Sequence, residues 1–370
     1  MSSTEISQKT SHEDEDHFLF AMQLAGVSVL PMVMQVAAEL GLFDIIAKAG
    51  PGAQMSPKII ASHLPTQNAN AVSMLDRILR LLTGYKVLNS SVSTNDDGLI
   101  ERLYGLAPVC KYFVQNEDGV SLLPLMLLVQ DKVFMDSWGH LKDAVLEGGI
   151  AFNKAHGMHA FEYPGLNPRF NQVFNKAMFN HTTIVMKKIL ETYNGFENFS
   201  EVVDVGGGVG TTISLITAKY PSIKGINFDL PHVNQHHFFF LGHDTLNPRK
   251  YVSGNMFESV PRAEAIFMKW ILHDWSDDHN LSLLKNCYNA LPDHEKVIIV
   301  EHMLHVAAEN NIAAIGVGQK DLIMLSQNPG GKERTEEEFY TLARKAGFAS
   351  IKKVCFAYNY SENFICFYKK

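Results

Sequence analysis

The chain has little cysteine. Cys110, Cys287, Cys355 and Cys366 are scattered over 370 residues, with no C-x-x-C pair. That excludes a disulfide framework and a cysteine-rich zinc site, and it reads as reduced, buried thiols in a cytosolic protein. Positive charge is not in excess either. The formal net charge is -7 and the pI near 6.1, which argues against nucleic acid as a partner. No hydrophobic run is long. Leu24 to Met34 is the longest early one and is too short to span a bilayer, so no membrane is expected. The start lacks the basic-then-apolar pattern of a signal sequence, and no internal repeat is visible. Met1 to His17 is polar and acidic (Glu13 to Asp16), so residues 1–17 are expected to be a disordered tail. What remains, with 46% apolar and 19% charged residues, is a globular protein of two or three domains.

One stretch organises the rest. Glu201 to Val205 is a β-branched, apolar run containing Asp204, followed by Gly206, Gly207, Gly208 and Gly210. Val202, Val203 and Val205 suit a buried parallel strand, and the glycines let backbone approach a ligand closely. Thr211 to Lys219 then reads as helix. Strand, glycine turn and helix start make an edge for a nucleotide-like ligand. A dinucleotide fingerprint, G-x-G-x-x-G, is the rival, but its third glycine falls on Thr211. Asp229 closes the next strand, Ile226 to Asp229, where an acid can accept two bonds from a ribose diol.

The first half of the chain reads as helical. Phe18 to Ala47 is apolar on too many faces for a surface helix and suits either a core helix or a dimer seam. Ser56-Pro57 starts a short helix, and Ala71 to Leu82 is amphipathic. Tyr85 to Leu88 and Leu99 to Leu106 read as a hairpin, which completes a winged-helix outline without a basic face for DNA. Val120 to Tyr193 is mostly helical, with Phe161, Phe170, Phe174, Met178 and Phe179 interleaved with Asn171, Asn175 and His181. That set is either core or the wall of an apolar pocket. From Glu201 on, strands at 201–205, 223–229, 250–253, 264–269, 296–301, 349–357 and 363–369 alternate with helices, which implies a parallel sheet covered by helices. The fold class is α/β, a Rossmann-like domain behind a mainly helical, winged-helix-like N-terminal domain. The divisions are 1–17 tail, 18–118 helical domain, 119–194 connecting and wall segment, and 195–370 ligand-binding domain.

Chemistry-bearing residues gather at the strand ends. His273, just after the fourth strand, is the general-base candidate, with Glu301 or Glu333 as the carboxylate that fixes its tautomer. Asp274 beside it suits either that site or the N-cap of the helix near Ser276.

The motifs Asp204 to Gly210, Asn227 to His232, Met268 to Trp270, His273 to Asp277 and Asn328 to Thr335 resemble, in order, those of the plant caffeic acid O-methyltransferase family, and the resemblance spans Phe18 to Lys370. It implies a metal-independent O-methyltransferase that uses S-adenosylmethionine, yields S-adenosylhomocysteine, and forms a homodimer through its N-terminal domain. By resemblance, His273 is the base that takes a phenolic proton, Glu301 and Glu333 flank it, and Asp274 orients a hydroxyl. Gly206, Gly208, Asp229, Asn255, Met256 and Lys269 hold the cofactor. The acceptor set is Leu128, Val129, Phe134, Phe161, Phe170, Phe174, Met178, His181, Lys320, Ile323, Met324 and Asn328.

The departures concern the acceptor. Leu128, Val129 and Phe134 stand where lignin-precursor enzymes have Met, Asn and Leu; Pro164 replaces a His and Lys320 an Ile. Lys320 either pairs with an acidic group or points to solvent. Asn255 replaces an Asp, and the Asn234 to Lys250 segment is longer than usual. Phenylpropanoids, flavonoids and phenolic alkaloids all stay open as acceptors. A catalytically silent dimer partner and a nicotinamide-dependent oxidoreductase are the competing readings.

Overall fold

Two units divide the chain, Met1–Met126 and Leu127–Lys370. The structure is a computed structural model, and it describes residues 3–94, 98–234, 249–358 and 362–370.

In the first unit, helices Val29–Glu39, Leu42–Lys48, Pro57–Ser62 and Ala71–Gly84 surround a small antiparallel sheet. Its strands β1 (Gln54–Met55), β2 (Leu88–Thr94) and β3 (Ile100–Leu106) lie in the order β1-β3-β2. Leu75, Leu79 and Leu82 recur at helical spacing on Ala71–Gly84 and pack with Phe43, Ile46, Ile60 and Tyr104. Asp76 on that helix accepts from Arg102 and Tyr104 on β3, at 2.9 and 2.6 Å, which fixes helix against hairpin.

The tail expected to be disordered over 1–17 is instead helical from its third residue, as part of one helix, Ser3–Ala25. Its polarity suggested disorder, but a polar stretch without Gly or Pro keeps good helix propensity and runs on into the apolar residues that follow. Phe18, Phe20, Leu24 and Val27 are all exposed on the single chain. No single described helix is long and apolar enough to cross a membrane; the pair Asp14–Ala25 and Val29–Glu39, bent by 50°, passes by length and composition.

The second unit is built on seven strands: β4 (Glu201–Val205), β5 (Lys224–Asp229), β6 (Arg249–Ser253), β7 (Ala265–Lys269), β8 (Lys296–Glu301), then, after the short β9 (Met303–Leu304) and β10 (Arg334–Thr335), β11 (Ser350–Ala357) and β12 (Glu362–Tyr368). The sheet order is β11-β12-β8-β7-β4-β5-β6. β4 to β8 pair in parallel. β12 runs antiparallel to β8 and β11, so the all-parallel expectation needs correcting at one edge. The connection from Ala357 to Glu362 is too short for a crossover, which takes a dozen residues or more, and can close only a hairpin.

Nor do residues 119–194 form a body of their own. From Leu127 onward they belong to the unit that holds the sheet. Val185, Met186, Ile189 and Leu190 of the Pro168–Thr192 helix are buried with Val202, Ile213, Phe267 and Ile298. Leu122 to Trp138 is two helices, Leu123–Val129 and Lys132–Trp138; Asp131 caps the second by accepting from Val133 N–H at 3.0 Å. Of the long Asn234 to Lys250 segment, residues 235–248 lie outside the described residues.

The helix Thr211–Lys219 lies tight on β5. A Cβ added at Gly225 would meet Ile213 Cγ1 at 2.5 Å and Thr217 Cγ2 at 2.8 Å. Both side chains are buried and β-branched, so they have few other rotamers to adopt. Gly225→Ala should therefore lower unfolding stability by about 1–3 kcal/mol, an overpacking effect. Thermal and urea denaturation of the full chain check this.

Candidate active site

A cavity of about 530 Å³ lies at the carboxyl ends of β4 to β7, within the range of about 300–1,000 Å³ usual for small-molecule sites. The glycine turn, Asp229, Asn255, Met256, Lys269, Phe161, Phe174 and Met178 all lie on its wall, so the structure brings together the two ligand sets that the sequence separates.

The glycine edge comes first. Gly206 has φ +67°, and a Cβ there would strike Ile271 Cδ1 at 2.3 Å. Only glycine leaves that approach open. Asp229 accepts from the backbone N–H of Gly208 at 2.8 Å and of Leu230 at 2.7 Å, which ties the end of β5 to the turn. Burial raises the pKa values of Asp204 and Asp229. Asn255 is partly committed: its Oδ1 accepts from Phe257 N–H at 3.0 Å and its Nδ2 donates to Glu258 at 3.1 Å. Lys269 Nζ donates to His181 Nδ1 at 3.2 Å and sits 3.8 Å from the Trp270 ring centre. Burial first, then the nearby Lys269, Lys320 and His302, drive the His181 pKa well down, which keeps it a neutral acceptor.

His273 lies in a short turn, Leu272–Asp274, that is held from three sides. Glu301, at the end of β8, accepts from the N–H of Ile271 at 2.9 Å and of Leu272 at 2.7 Å. Arg334, with no exposed side-chain surface, donates to the carbonyls of Leu272 (2.7 Å) and Trp275 (2.8 Å) and to Asp277 (2.7 Å). Asn280 donates to the same two carbonyls, at 2.7 and 3.0 Å. The His273 carbonyl in turn accepts from Lys332 N–H at 2.9 Å.

Within that frame His273 Nδ1 meets Glu333 Oε1 at 2.8 Å, while Nε2 lies 3.6 Å from Asp274 Oδ1. Glu301 is 3.9 Å from Nδ1. Burial lifts Glu301 and Asp274 each to about 7, against a smaller opposing pull from His273. Asn328 donates to Asp274 Oδ1 at 2.7 Å. The helix N-cap is Ser276, which accepts from His279 N–H, so Asp274 is left to the site. Donor atoms of His273, Glu301 and Glu333 fall within 4.8 Å of one another, as a metal site needs. However, Nδ1 and Glu333 are already at hydrogen-bond distance, so the geometry is that of an imidazole–carboxylate pair.

Other sequence candidates fall elsewhere. Leu128, Phe134 and Phe170 are buried, and the Phe134 and Phe170 rings pack 5.6 Å apart. Like Val129, His181, Lys320, Ile323, Met324 and Asn328, they are not on the cavity wall, and neither are His273, Glu301 and Glu333; Asp274 brings that cluster to the cavity. The family resemblance, not their spacing, put most of these acceptor candidates in the set. Sequence reasoning missed the aromatic stack on the wall. Trp275, His159 and Phe161 form a triangle of near-parallel rings, with Trp275 5.7 Å from His159 (9°) and 5.5 Å from Phe161 (24°), His159 and Phe161 5.7 Å apart, and Phe257 edge-on to Trp275 at 4.8 Å. Nothing local marks His159, more than a hundred residues from Trp275. Arg334 was visible as part of a motif, but its task was not.

Comparison with known proteins gives the class. Residues 138–349 match the family model of the O-methyltransferase domain, and residues 22–116 that of the O-methyltransferase dimerisation domain. The protein is an S-adenosylmethionine-dependent O-methyltransferase and a homodimer. It is 58% identical to caffeic acid 3-O-methyltransferase 1 of Populus tremuloides over 97% of each chain. It is 60% identical to caffeic acid 3-O-methyltransferase of Medicago sativa, over 95% of this chain and 94% of that one. The chain belongs to the plant caffeic acid O-methyltransferase family. Human N-acetylserotonin methyltransferase, solved in complex with S-adenosylmethionine, shares the fold at 20% identity and a TM-score of 0.79, over 95% of this chain and 97% of that one.

Two outcomes follow from the site's geometry. Arg334→Met should cost about 1–3 kcal/mol, because two turn carbonyls each lose one of their two buried donors, Asn280 keeping the other, while Asp277 is half exposed to water. Arg334→Lys should not restore methyl transfer, since one ammonium cannot reach all those acceptors; denaturation and turnover assays check both. The folded-state pKa of Glu301, about 7, lies above its ordinary 4.5. Folding therefore takes up a proton between those values, and this group's contribution to stability falls as pH rises through that window. Glu301→Gln should flatten the pH dependence of Tm there; an unchanged profile would contradict the assignment.

Proposed function

We propose that the enzyme methylates a hydroxyl of a small phenol, with His273 as the general base. The observation that carries this is the 2.8 Å bond between His273 Nδ1 and Glu333. With Nδ1 donating to a carboxylate, the proton is held there and Nε2 keeps its lone pair, free to take a phenolic proton. Glu301 is a positioning residue that holds the turn through its two backbone bonds. Asp274, titrating near neutrality, can donate to or accept from a neighbouring ring oxygen without placing a full second charge beside the nascent phenolate. S-adenosylmethionine, when bound, would supply the methyl group and leave as S-adenosylhomocysteine. The protein supplies orientation and exclusion of water, and no metal takes part.

The wall residues suit that cofactor. The backbone at Gly206 and Gly208 would admit its chain, Asp229 would take the ribose, Met256 and Asn255 would meet the adenine, and Lys269 would meet the methionine end. Phe161, Phe174 and Met178 line the acceptor side. The named activity of the relatives, on caffeic acid, favours a phenylpropanoid over a flavonoid or an alkaloid. We read the exposed Phe18, Phe20, Leu24 and Val27 as the dimer seam and the compartment as the cytosol.

Transfer of labelled methyl groups across a panel of phenols tests this reading. A hydroxycinnamic acid, its aldehyde and alcohol, a flavonoid and a phenolic alkaloid would be compared; no transfer to any would overturn the reading. His273→Ala should lower kcat by about 10²–10⁴, the usual weight of general-base catalysis, while S-adenosylmethionine still binds. Near-normal turnover would remove His273 as base.

A further inference from the structure

We infer that Asp204 is a neutral carboxylic acid in the folded protein and a positioning residue for the cofactor: by donating its proton to Asn227 Oδ1, it holds the glycine turn in the shape that admits S-adenosylmethionine. The inference rests on the reading of that turn as the cofactor's edge and is independent of the acceptor.

Asp204 is the last residue but one of β4, and Asn227 is its register partner on β5. Parallel pairing puts the two side chains on one face of the sheet. Both are buried, Asp204 at 1% exposure and Asn227 at none. Gly207 lies against them. A Cβ there would meet Asp204 Oδ2 at 2.6 Å and Asn227 Oδ1 closer still, so the two oxygens crowd a single point. Neither oxygen has a hydrogen-bond partner among the described residues, and neither exposes surface that water could touch. A carboxylate and an amide oxygen are both acceptors, and two acceptors side by side in a dry interior repel unless a proton lies between them.

Turning the Asn227 amide over does not remove the conflict. Its Nδ2 donates to the carbonyl of Gly208 at 2.9 Å and to Asn234 Oδ1 at 3.0 Å, and both bonds would be lost. Asn234 is fixed in its turn, because its Nδ2 lies against the carbonyls of Asp229 (3.3 Å) and Val252 (3.0 Å) and against Ser253 Oγ (3.2 Å). Asn227 Oδ1 is therefore the acceptor, and the missing hydrogen belongs on Asp204, since a protonated carboxyl has one O–H to give. The surroundings agree. Burial, then the carboxyl of Asp229 at the end of β5, keep the proton on Asp204; Lys269 at the end of β7 and the N–H of Ile213 in the helix Thr211–Lys219 pull the other way.

The bond reaches the ligand edge through Gly208. Asn227 holds the carbonyl of Gly208, while Asp229 accepts from its N–H at 2.8 Å. Asp204, Gly206, Gly207 and Gly208 are all on the cavity wall. An ionised Asp204 would set a charge against Asn227 Oδ1, push that amide away from Gly208 and distort the turn. The rival reading makes Asp204 a charged partner for the ammonium at the cofactor's methionine end, and the two readings predict opposite behaviour of one variant.

Asp204→Asn keeps the shape and offers an amide N–H in place of the carboxyl O–H. It should bind S-adenosylhomocysteine within about threefold of the wild type, whereas Asp204→Ala should weaken binding about tenfold or more, the scale of a buried acceptor left unsatisfied. Titration calorimetry measures both. The wild type should lose affinity as alkaline pH strips the proton from Asp204, and Asp204→Asn should lose less; Lys269, Asp229, His181 and the ligand's own amino group are common to both proteins. An infrared difference spectrum of the unliganded proteins at neutral pH, wild type minus Asp204→Asn, should show the C=O stretch of a protonated carboxylic acid. Binding by Asp204→Asn as weak as that of Asp204→Ala overturns the inference, and so does a carboxylate band in place of the acid band. Failure of Asp204→Asn to fold overturns it too, because the amide is the nearest neutral mimic. No binding of S-adenosylhomocysteine by the wild type would instead remove the reading of the turn as the cofactor's edge, and the infrared band would still decide the state of Asp204.

Discussion

The turn Leu272–Asp274 depends on buried groups that cannot be satisfied by water. Glu301 covers two of its N–H groups, and Arg334 and Asn280 cover the carbonyls of Leu272 and Trp275. Each of these side chains is fully or almost fully buried, so each bond lost would leave a polar group stranded in a low-dielectric interior. This mutual satisfaction fixes His273 more firmly than packing could. Packing tolerates small shifts, whereas a network of directional bonds does not.

The network also links distant pieces of chain. Glu301 comes from β8, Arg334 and Glu333 from the loop before Glu336–Ala346, and Asn280 from the helix after the turn itself. Asp321 and Asn328 extend it to one further helix.

Burial sets the charge state of the site. Desolvation alone would keep Asp274 and Glu301 neutral, and the adjacent imidazole partly offsets it, leaving both near 7. The cluster therefore sits close to its titration point at neutral pH, where a proton can move at little cost. Near Trp270 the same physics runs in the opposite sense: burial keeps His181 uncharged, so that it can accept from Lys269.

The glycine turn, the helix Thr211–Lys219 and all seven strands of the large sheet were legible in the sequence. Their signals are local: β-branched runs of strand length, glycine where backbone must turn, and helical spacing of apolar residues. The gathering of His273, Glu301 and Glu333 was legible as well, because ends of strands in an α/β sheet lie along one edge. The antiparallel edge was not, since strand direction depends on the length of a connection more than on the strand's own residues. Nor was the helical start at Ser3, where polarity suggested disorder but no residue breaks a helix. The tertiary structure decided which of the aromatic and Met residues face the cavity: Phe161, Phe174 and Met178 do, while Phe134 and Phe170 pack behind them. It also brought His159 against Trp275 and set Arg334 beneath the base. These are contacts between residues far apart in the chain, and the fold settles them because close packing and the pairing of buried polar groups act in space, where sequence spacing carries no information.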